Sequence, residues 1–330
     1  FVSFPQVLGH ETVGVILQTG SRVKNRVVGE RVVLNPWLPC ATRGIEPPCA
    51  ACQRGQHYLC ENFTKGTLPP GMHIGNNAAA TGGYAPYFAA HESQLFRIPD
   101  AVSVEQAVLA DPFSVSLHAV LKAPPEAGTL AVVYGCGTLG LLTVAILNTL
   151  YPQVDVLAIT RYPHQQKLAQ QLGARYTVCD MKPVEIIEHV AGIAGGTIYR
   201  PWKGKPMLMK GAQRIYDTVG SPETVEVGIR IAQPQAKIVI TGVANPARFE
   251  WTPLYFKEIE LLGSNAFGVE TFEGQRLHSM EIYLQLLEEQ RLDLTGMITH
   301  RFHIEQFRRA FLAAHGKNNS AAVKVAFEYA

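Results

Sequence analysis

The spacing of apolar positions changes character along the chain. Up to about residue 100 the text reads as short strands and turns. Thr12–Gln18 and Arg31–Leu34 alternate or run apolar, with Gly20, Gly29 and Pro36 as punctuation. Residues 40–80 are rich in Cys, Gly, Pro and Asn and predict loop. So long a loop inside a compact domain needs its own staple, and a metal would supply one. Gly82-Gly83-Tyr84-Ala85 predicts entry into a further strand, and Phe96-Arg97-Ile98-Pro99 closes the section.

From Val104 the period becomes helical. Val104–Leu109 and Phe113–Leu121 predict helices separated by an interruption at Asp111-Pro112. Beyond Pro124-Pro125 strands and helices alternate. Strands are expected at Leu130–Tyr134, Val154–Thr160, Tyr176–Cys179, Arg214–Val219, Lys237–Thr241 and Ile259–Leu262. Helices are expected at Leu139–Leu150, His164–Leu172, Val184–Val190 and Glu223–Ala232, with Ala191–Lys210 irregular. Such alternation implies a parallel sheet covered on both faces. The tail predicts helices over Gly274–Gln290 and Ile304–His315. A last strand at Ala321–Phe327 is expected to return to the first domain, because a lone strand needs a sheet to join.

The bulk properties narrow the classes. With 330 residues, 47% of them hydrophobic and 17% charged, the chain can bury a sizeable core in one large or two ordinary domains. A net charge of +2 with scattered Lys and Arg gives no electrostatic case for nucleic acid or an anionic membrane. No apolar run approaches the ~20 residues of a membrane span. The chain opens on Phe1 in strand-like text, so a missing N-terminal stretch is expected. Four of the six cysteines are bunched, which in a chain of this size fits a reducing, cytoplasmic setting better than disulfides.

Three constellations carry chemistry. Gly135-Cys136-Gly137-Thr138-Leu139-Gly140 follows a predicted strand and opens a predicted helix, the context that makes this spacing a dinucleotide loop. Its first glycine permits the turn, its second admits the pyrophosphate, and its third lets helix approach strand. An NAD site places Asp or Glu about 20 residues on, at the end of the second strand. Here that strand ends Ile159-Thr160-Arg161-Tyr162, and Asp155 lies at its other end. Thr160 can hydrogen-bond a 2′-phosphate and Arg161 can pair with it, so NADP is expected to be preferred over NAD. Cys49-x2-Cys52-x7-Cys60, with Cys40 as a fourth thiolate, suits a closed structural zinc site; disulfides or unligated thiols are the alternative. His10-Glu11 gains weight from Asp111, a carboxylate set between apolar helical stretches, where a buried charge wants a partner such as a metal.

Together these residues resemble the zinc-dependent medium-chain dehydrogenase/reductases, the alcohol, polyol and threonine dehydrogenase superfamily. The resemblance spans essentially the whole chain. It rests on Gly9-His10-Glu11, the Cys40–Cys60 lobe, Gly82-Gly83-Tyr84-Ala85, Asp111-Pro112, Gly135–Gly140, Tyr216-Asp217-Thr218-Val219-Gly220 and Lys257-Glu258-Ile259-Glu260-Leu261-Leu262-Gly263-Ser264. It implies an α/β fold: a Rossmann doubly wound parallel sheet plus a GroES-like, mostly-β catalytic domain. The expected division is residues 1–103 for the catalytic domain with its zinc lobe at 40–60, 104–267 for the nucleotide domain, and 268–330 for the return. By resemblance, His10 ligates a catalytic zinc, Glu11 is a carboxylate that can swing onto it, and Asp111 takes the third ligand's place. Cofactor contacts are expected at Gly135, Gly137, Thr138, Leu139, Gly140, Thr160, Arg161, Val219 and Gly242.

The family's first zinc ligand, a cysteine ahead of the Gly-His-Glu, is not among these residues, so a truncated and thereby inactive site is expected. The Cys40–Cys49 gap is longer than in relatives, and an acidic residue is replaced by Thr160-Arg161. The implied reaction is hydride transfer between an alcohol, polyol, sugar or other carbonyl-forming substrate and NAD(P), by a homodimer or homotetramer. A zinc-free quinone or enoyl reductase of the same fold and a non-catalytic NADPH-binding protein stay open beside it.

Overall fold

The computed structural model describes residues 2–245 and 247–329. The first section holds a three-stranded antiparallel sheet of β1 (Val13–Val15), β2 (Arg31–Leu34) and β3 (Leu95–Arg97), with β2 in the middle. Between β2 and β3 the chain makes the loop-rich excursion that its composition predicts, with one short helix, α1 (Ala50–Gln53). Gly82–Ala85 forms no strand. Its backbone instead hydrogen-bonds residues 7–9, Gly82 N–H to Val7 O and Tyr84 N–H to Leu8 O, which fixes the approach to His10.

Two helices lead onward, α2 (Val104–Ala107) and α3 (Ala110–Lys122). The break between them falls at Val108-Leu109, not at Asp111-Pro112. Both of those residues sit in the first turn of α3, where a proline's missing N–H is not needed and a carboxylate faces the positive end of the helix dipole.

The second section is the alternating one. β4 (Leu130–Tyr134), α4 (Thr138–Leu150), β5 (Asp155–Thr160), α5 (Pro163–Gln171), β6 (Tyr176–Cys179) and α6 (Pro183–Ala194) come first. The stretch expected to be irregular contains a small hairpin, β7 (Ile198–Tyr199) and β8 (Met207–Leu208). Then follow β9 (Ala212–Asp217), α7 (Pro222–Ile231), β10 (Ala232–Ile240), α8 (Thr252–Phe256) and β11 (Glu260–Gly263). Six of these strands form one parallel sheet in the order β11-β10-β9-β4-β5-β6. Counted from β4, that is the doubly wound order whose reversal point lies between its first and fourth strands, the place where such sheets bind ligands. One apolar cluster joins α3, α4 and the later helix Ser279–Glu288 on one face, and a second lies under α6 and α7 on the other. Leu141, Leu142, Val144, Ile146 and Leu147 of α4 are all fully buried, each contributing roughly 1.5–3 kcal/mol, so the loop that opens α4 stands on a rigid base.

The tail departs from its predicted helix. Val269–Phe272 (β12) and Gln275–His278 (β13) make a hairpin, and only Ser279–Glu288 (α9) is helical. Gly274 takes the positive φ of 79° that the tight connection needs, and His278 caps the helix by accepting from Met280 N–H. After β14 (Ile298–His303), α10 (Phe307–His315) and α11 (Lys317–Ser320), β15 (Lys324–Glu328) pairs parallel with β14. The last strand therefore does not join the first sheet through its backbone. Its side chains return instead: Phe327 meets the Tyr84 ring at 5.0 Å, and Lys324 pairs with Glu11.

Candidate functional site

The four clustered cysteines converge. Their sulfurs all lie within 4.8 Å of one another, with Cys40–Cys60 at 3.7 Å and Cys49–Cys60 at 4.0 Å. A tetrahedral zinc with Zn–S bonds of ~2.3 Å requires S–S edges of about 3.8 Å, whereas a disulfide requires about 2.05 Å. All six cysteines are free, so the donor set fits zinc and not a pair of bridges. The longer gap after Cys40 is absorbed by a short turn, Ala41–Arg43, closed by Gly44 in the left-handed region. N–H groups already point at the sulfurs: Cys49 N–H and the Asn62 amide at Cys40 Sγ, and Asn62 N–H at Cys60 Sγ. Burial pushes Cys52 up and Cys60 up to about 11. Burial also opposes ionisation of Cys49, but hydrogen bonds from the Glu61 and Cys52 backbone bring it to about 7. Burial thus disfavours the thiolate forms of Cys52 and Cys60, and a divalent cation at the centre of the cluster would supply the compensating charge.

Arg43 organises the lobe from within. Fully buried, its guanidinium donates to the carbonyls of Leu38, Lys65, Leu68, Pro69 and Gly71. Those bonds satisfy loop carbonyls that would otherwise be orphaned, and they set a cation near Cys40 and Cys60.

The second cluster is His10, Glu11 and Asp111, whose ligand atoms also fall within 4.8 Å of one another. His10 and Glu11 precede β1, held by the Gly82–Tyr84 backbone; Gly9, at φ 94°, has no room for a Cβ against Tyr84. Asp111 arrives on the first turn of α3. Burial drives His10 down to about 4, helped by His73 and Lys324, so the imidazole is neutral and its lone pair is free near pH 7. Burial alone pushes Asp111 up to about 7. Two carboxylates and a neutral imidazole in a shielded position are a hard-to-borderline donor set with room for an outside ligand, unlike the closed thiolate cluster. Lys324 pairs with Glu11, and burial lowers it to about 8. The cavity beside this cluster has a volume of about 480 Å³, lined by His10, Glu11, His73, Tyr84, Phe311 and Lys324 among others. A larger groove of about 860 Å³ runs along β1 and residues 85–90, but among the described residues no carboxylate, imidazole, thiol or lysine lines it.

The glycine loop joins β4 to α4. A Cβ on Gly135 would meet Val219 Cγ2 at 2.3 Å, and one on Gly140 would meet Gly135 O at 1.9 Å. Gly137 is different: nothing lies within 4 Å of its Cβ position, so it faces open space at the helix N-terminus. Free N–H groups and the helix dipole make that space an anion site. Thr138 turns its hydroxyl to Val323 O, and Leu139 is half-buried in the first turn of α4. Val219 and Gly242 follow β9 and β10, where the two loops touch: a Cβ on Gly242 would meet Val219 C at 2.3 Å. At the end of β5, Thr160 is buried and donates its hydroxyl to Val178 O across the sheet, so that hydroxyl is already engaged. Arg161 is exposed, its guanidinium 5.6 Å from the Tyr162 ring centre.

Lys324, His73 and Arg43 escape the sequence reading. Lys324 left one signal, a lone cation inside the apolar run Ala321–Phe327. For Arg43 there was none, because its partners are main-chain carbonyls.

Comparison with known proteins agrees with this geometry. The alcohol dehydrogenase GroES-like domain family matches residues 1–100, and the zinc-binding dehydrogenase family matches residues 138–280. L-idonate 5-dehydrogenase of Vitis vinifera is 27% identical over 99% of this chain and 80% of its own length. D-xylulose reductase A of Aspergillus oryzae is 25% identical over 94% of this chain and 77% of its own. A zinc-binding dehydrogenase of Sinorhizobium meliloti, solved bound to NADP, is 25% identical with a TM-score of 0.75, covering 99% of this chain and 85% of the other.

Proposed function

The chain belongs to the zinc-dependent medium-chain dehydrogenase/reductases, and we propose that it transfers hydride between the hydroxyl-bearing carbon of an alcohol, polyol or sugar-type substrate and a nicotinamide cofactor. The observation that carries this reading is the pairing of an open His10–Glu11–Asp111 cluster with a closed four-thiolate cluster and a glycine loop in one fold. Zinc bound at the open cluster would polarise the substrate oxygen as a Lewis acid. His10 and Asp111 would hold it, and Glu11, which pairs with Lys324, would supply a further carboxylate beside it. Phe311 and Tyr84 line the cavity and exclude water from the reacting carbon. Residues 1–103 and 268–330 serve as the catalytic part and 104–267 as the nucleotide part.

For the cofactor we propose NADP over NAD. The strand end where an acid would hold a ribose 2′-hydroxyl carries Arg161, whose guanidinium rests near the Tyr162 ring and makes no ion pair or hydrogen bond with the described residues. A bidentate grip on a 2′-phosphate follows from its chemistry. The free thiols suit a reducing compartment, the cytoplasm; among the described residues no helix is long and apolar enough to cross a membrane. β11, at an open edge of the sheet, offers a pairing surface for a homo-oligomer.

Initial rates with a panel of polyols and secondary alcohols, with NADP and NAD in parallel and before and after dialysis against a chelator, test the reading. Zinc-restorable turnover with a higher kcat/KM for NADP is expected. Chelator-resistant reduction of a quinone or an enone would overturn the metal reading, and a higher kcat/KM with NAD would overturn the cofactor reading.

A further inference from the structure

Outside the two donor clusters, three polar side chains form a buried chain of their own. His118 Nδ1 lies 2.6 Å from Glu270 Oε1, with side chains only 11% and 14% exposed. Its other nitrogen, Nε2, lies 3.2 Å from the Tyr58 hydroxyl, and the Tyr58 ring stands edge-on to the imidazole at 5.1 Å. In the tautomer with Nδ1 donating to the carboxylate, Nε2 accepts from the Tyr58 hydroxyl and both ring nitrogens are satisfied. The bond to Glu270 is short and shielded from solvent, which strengthens it.

What the chain connects is the informative part. Tyr58 sits in the short turn His57–Leu59, between Cys52 and Cys60 along the chain. His118 sits on α3, seven residues beyond Asp111. Seven residues are two turns, about 10 Å of rise along one face of the helix. Glu270 belongs to the β12–β13 hairpin, which itself clasps the lobe: Val269 N–H donates to Gly55 O, and Arg276 donates to Arg54 O. On its other sides α3 is held by apolar packing, such as Phe113 against Tyr283 at 4.4 Å, and by hydrogen bonds from Ser116 Oγ to Leu139 O and from Lys122 Nζ to Gly263 O. Apolar packing resists separation but specifies rotation and axial position weakly. The directional bonds at His118 supply that specification on the side facing the lobe.

We propose that the Tyr58–His118–Glu270 chain couples the cysteine lobe to α3 and so sets the position of Asp111, making His118 a positioning residue for the open metal cluster. The inference rests on the reading of both clusters as metal sites. When the lobe is ordered by its metal, Tyr58 is fixed and holds His118. When the lobe loosens, Tyr58 withdraws, Nε2 loses its partner, and α3 is free to shift by the few tenths of an ångström that carboxylate ligation does not tolerate. Coupling of this kind is reciprocal, so occupancy of the open cluster tightens the lobe by the same factor.

The test is a cobalt titration of the full chain with the lobe first loaded with zinc, following the visible d–d bands of the His10–Glu11–Asp111 site, in wild type, Tyr58→Phe and His118→Asn. Thermal melting and bound zinc per chain establish that each variant is folded with its lobe filled. Tyr58→Phe removes one hydroxyl from an otherwise unchanged ring; it is expected to weaken cobalt binding three- to tenfold with one zinc still bound. His118→Asn is expected to weaken it further. In wild type, stripping the lobe's zinc should weaken cobalt binding by a similar factor, and in Tyr58→Phe that dependence should vanish. Wild-type affinity in a folded, zinc-loaded Tyr58→Phe overturns the coupling alone. Absence of cobalt binding in wild type overturns the metal reading of the open cluster and the coupling with it.

Discussion

Alanine at Gly137 and alanine at Gly140 are expected to fail in opposite ways, although the two glycines are three residues apart in one loop. At Gly140 the added Cβ would stand 1.9 Å from Gly135 O and 3.2 Å from Thr218 Oγ1. Ordinary contact begins near 3.4 Å, so something must move by well over an ångström. Gly135 O cannot retreat freely, because it accepts the Thr218 hydroxyl at 2.6 Å. Nor can α4, whose apolar face is fully buried. Overpacking of this kind costs typically ~1–3 kcal/mol, here at the upper end because backbone meets backbone. For 330 residues, at ~2.1 cal/mol/K of unfolding entropy per residue, that lowers Tm by roughly 1.5 °C per kcal/mol. The displaced loop would also lose cofactor affinity.

At Gly137 the same methyl meets nothing within 4 Å, and the backbone, at φ −74° and ψ −161°, is ordinary for alanine. Stability should hold or rise by ~0.4–1 kcal/mol through the stiffer unfolded chain. The methyl instead stands in the open space where the pyrophosphate must approach the N-terminus of α4, so the Kd for NADPH should rise tenfold or more. Differential scanning fluorimetry and calorimetric titration of NADPH on the two variants make the comparison. A Gly137→Ala protein that binds NADPH as wild type does would refute the placement of the pyrophosphate. A Gly140→Ala protein with unchanged Tm would refute the claimed contact.

The remaining expectations address the lobe, a buried lysine and the cofactor. Arg43→Met should strand five loop carbonyls and destabilise the lobe by at least ~3 kcal/mol, given ~1–3 kcal/mol for each unsatisfied buried group; loss of about one zinc per chain by elemental analysis, with a lowered Tm, is the readout. Lys257 is buried under the carbonyls of Leu208, Arg230 and Ala232, and burial, reinforced by Arg230, lowers it from 10.5 to about 7. Between those two values the unfolded chain holds a proton that the folded chain does not, so this group makes stability rise with pH, by up to ~1.4 kcal/mol per pH unit. Urea denaturation from pH 7 to 9.5 should show that slope in wild type and not in Lys257→Met. Arg161→Leu should cut kcat/KM for NADPH at least tenfold while leaving that for NADH within about threefold, and equal losses with both cofactors would remove Arg161 from phosphate recognition.

How much of this was legible in the sequence follows from what periodicity records. The parallel sheet was readable because buried strands such as Leu130–Tyr134 are uniformly apolar and are punctuated by glycine and proline. The β12–β13 hairpin was not, because Val269–Phe272 and Gln275–His278 are short and polar on one side, and their text runs into α9 without a strong stop. The break before α3 was misplaced for a related reason. A proline reads as an interruption, yet in the first turn of a helix it satisfies the chain rather than breaking it.

Thr160 shows where a site reading stops short. The sequence places this hydroxyl at the end of the second strand, within reach of a ribose, and nothing in the text says whether it is free. In the fold it donates to Val178 O on the neighbouring strand, so what it contributes there is sheet edge order. Under the proposed NADP preference, discrimination between the two cofactors would rest on Arg161, whose guanidinium makes no ion pair or hydrogen bond among the described residues. The same limit hid the Tyr58–His118–Glu270 chain. A residue type at a spacing announces what it can bind only when its partners are local in sequence, as in the Cys49–Cys60 run. When the partners come from three distant segments, the sequence shows three ordinary polar residues, and only the distances between them turn those residues into a connection between two sites.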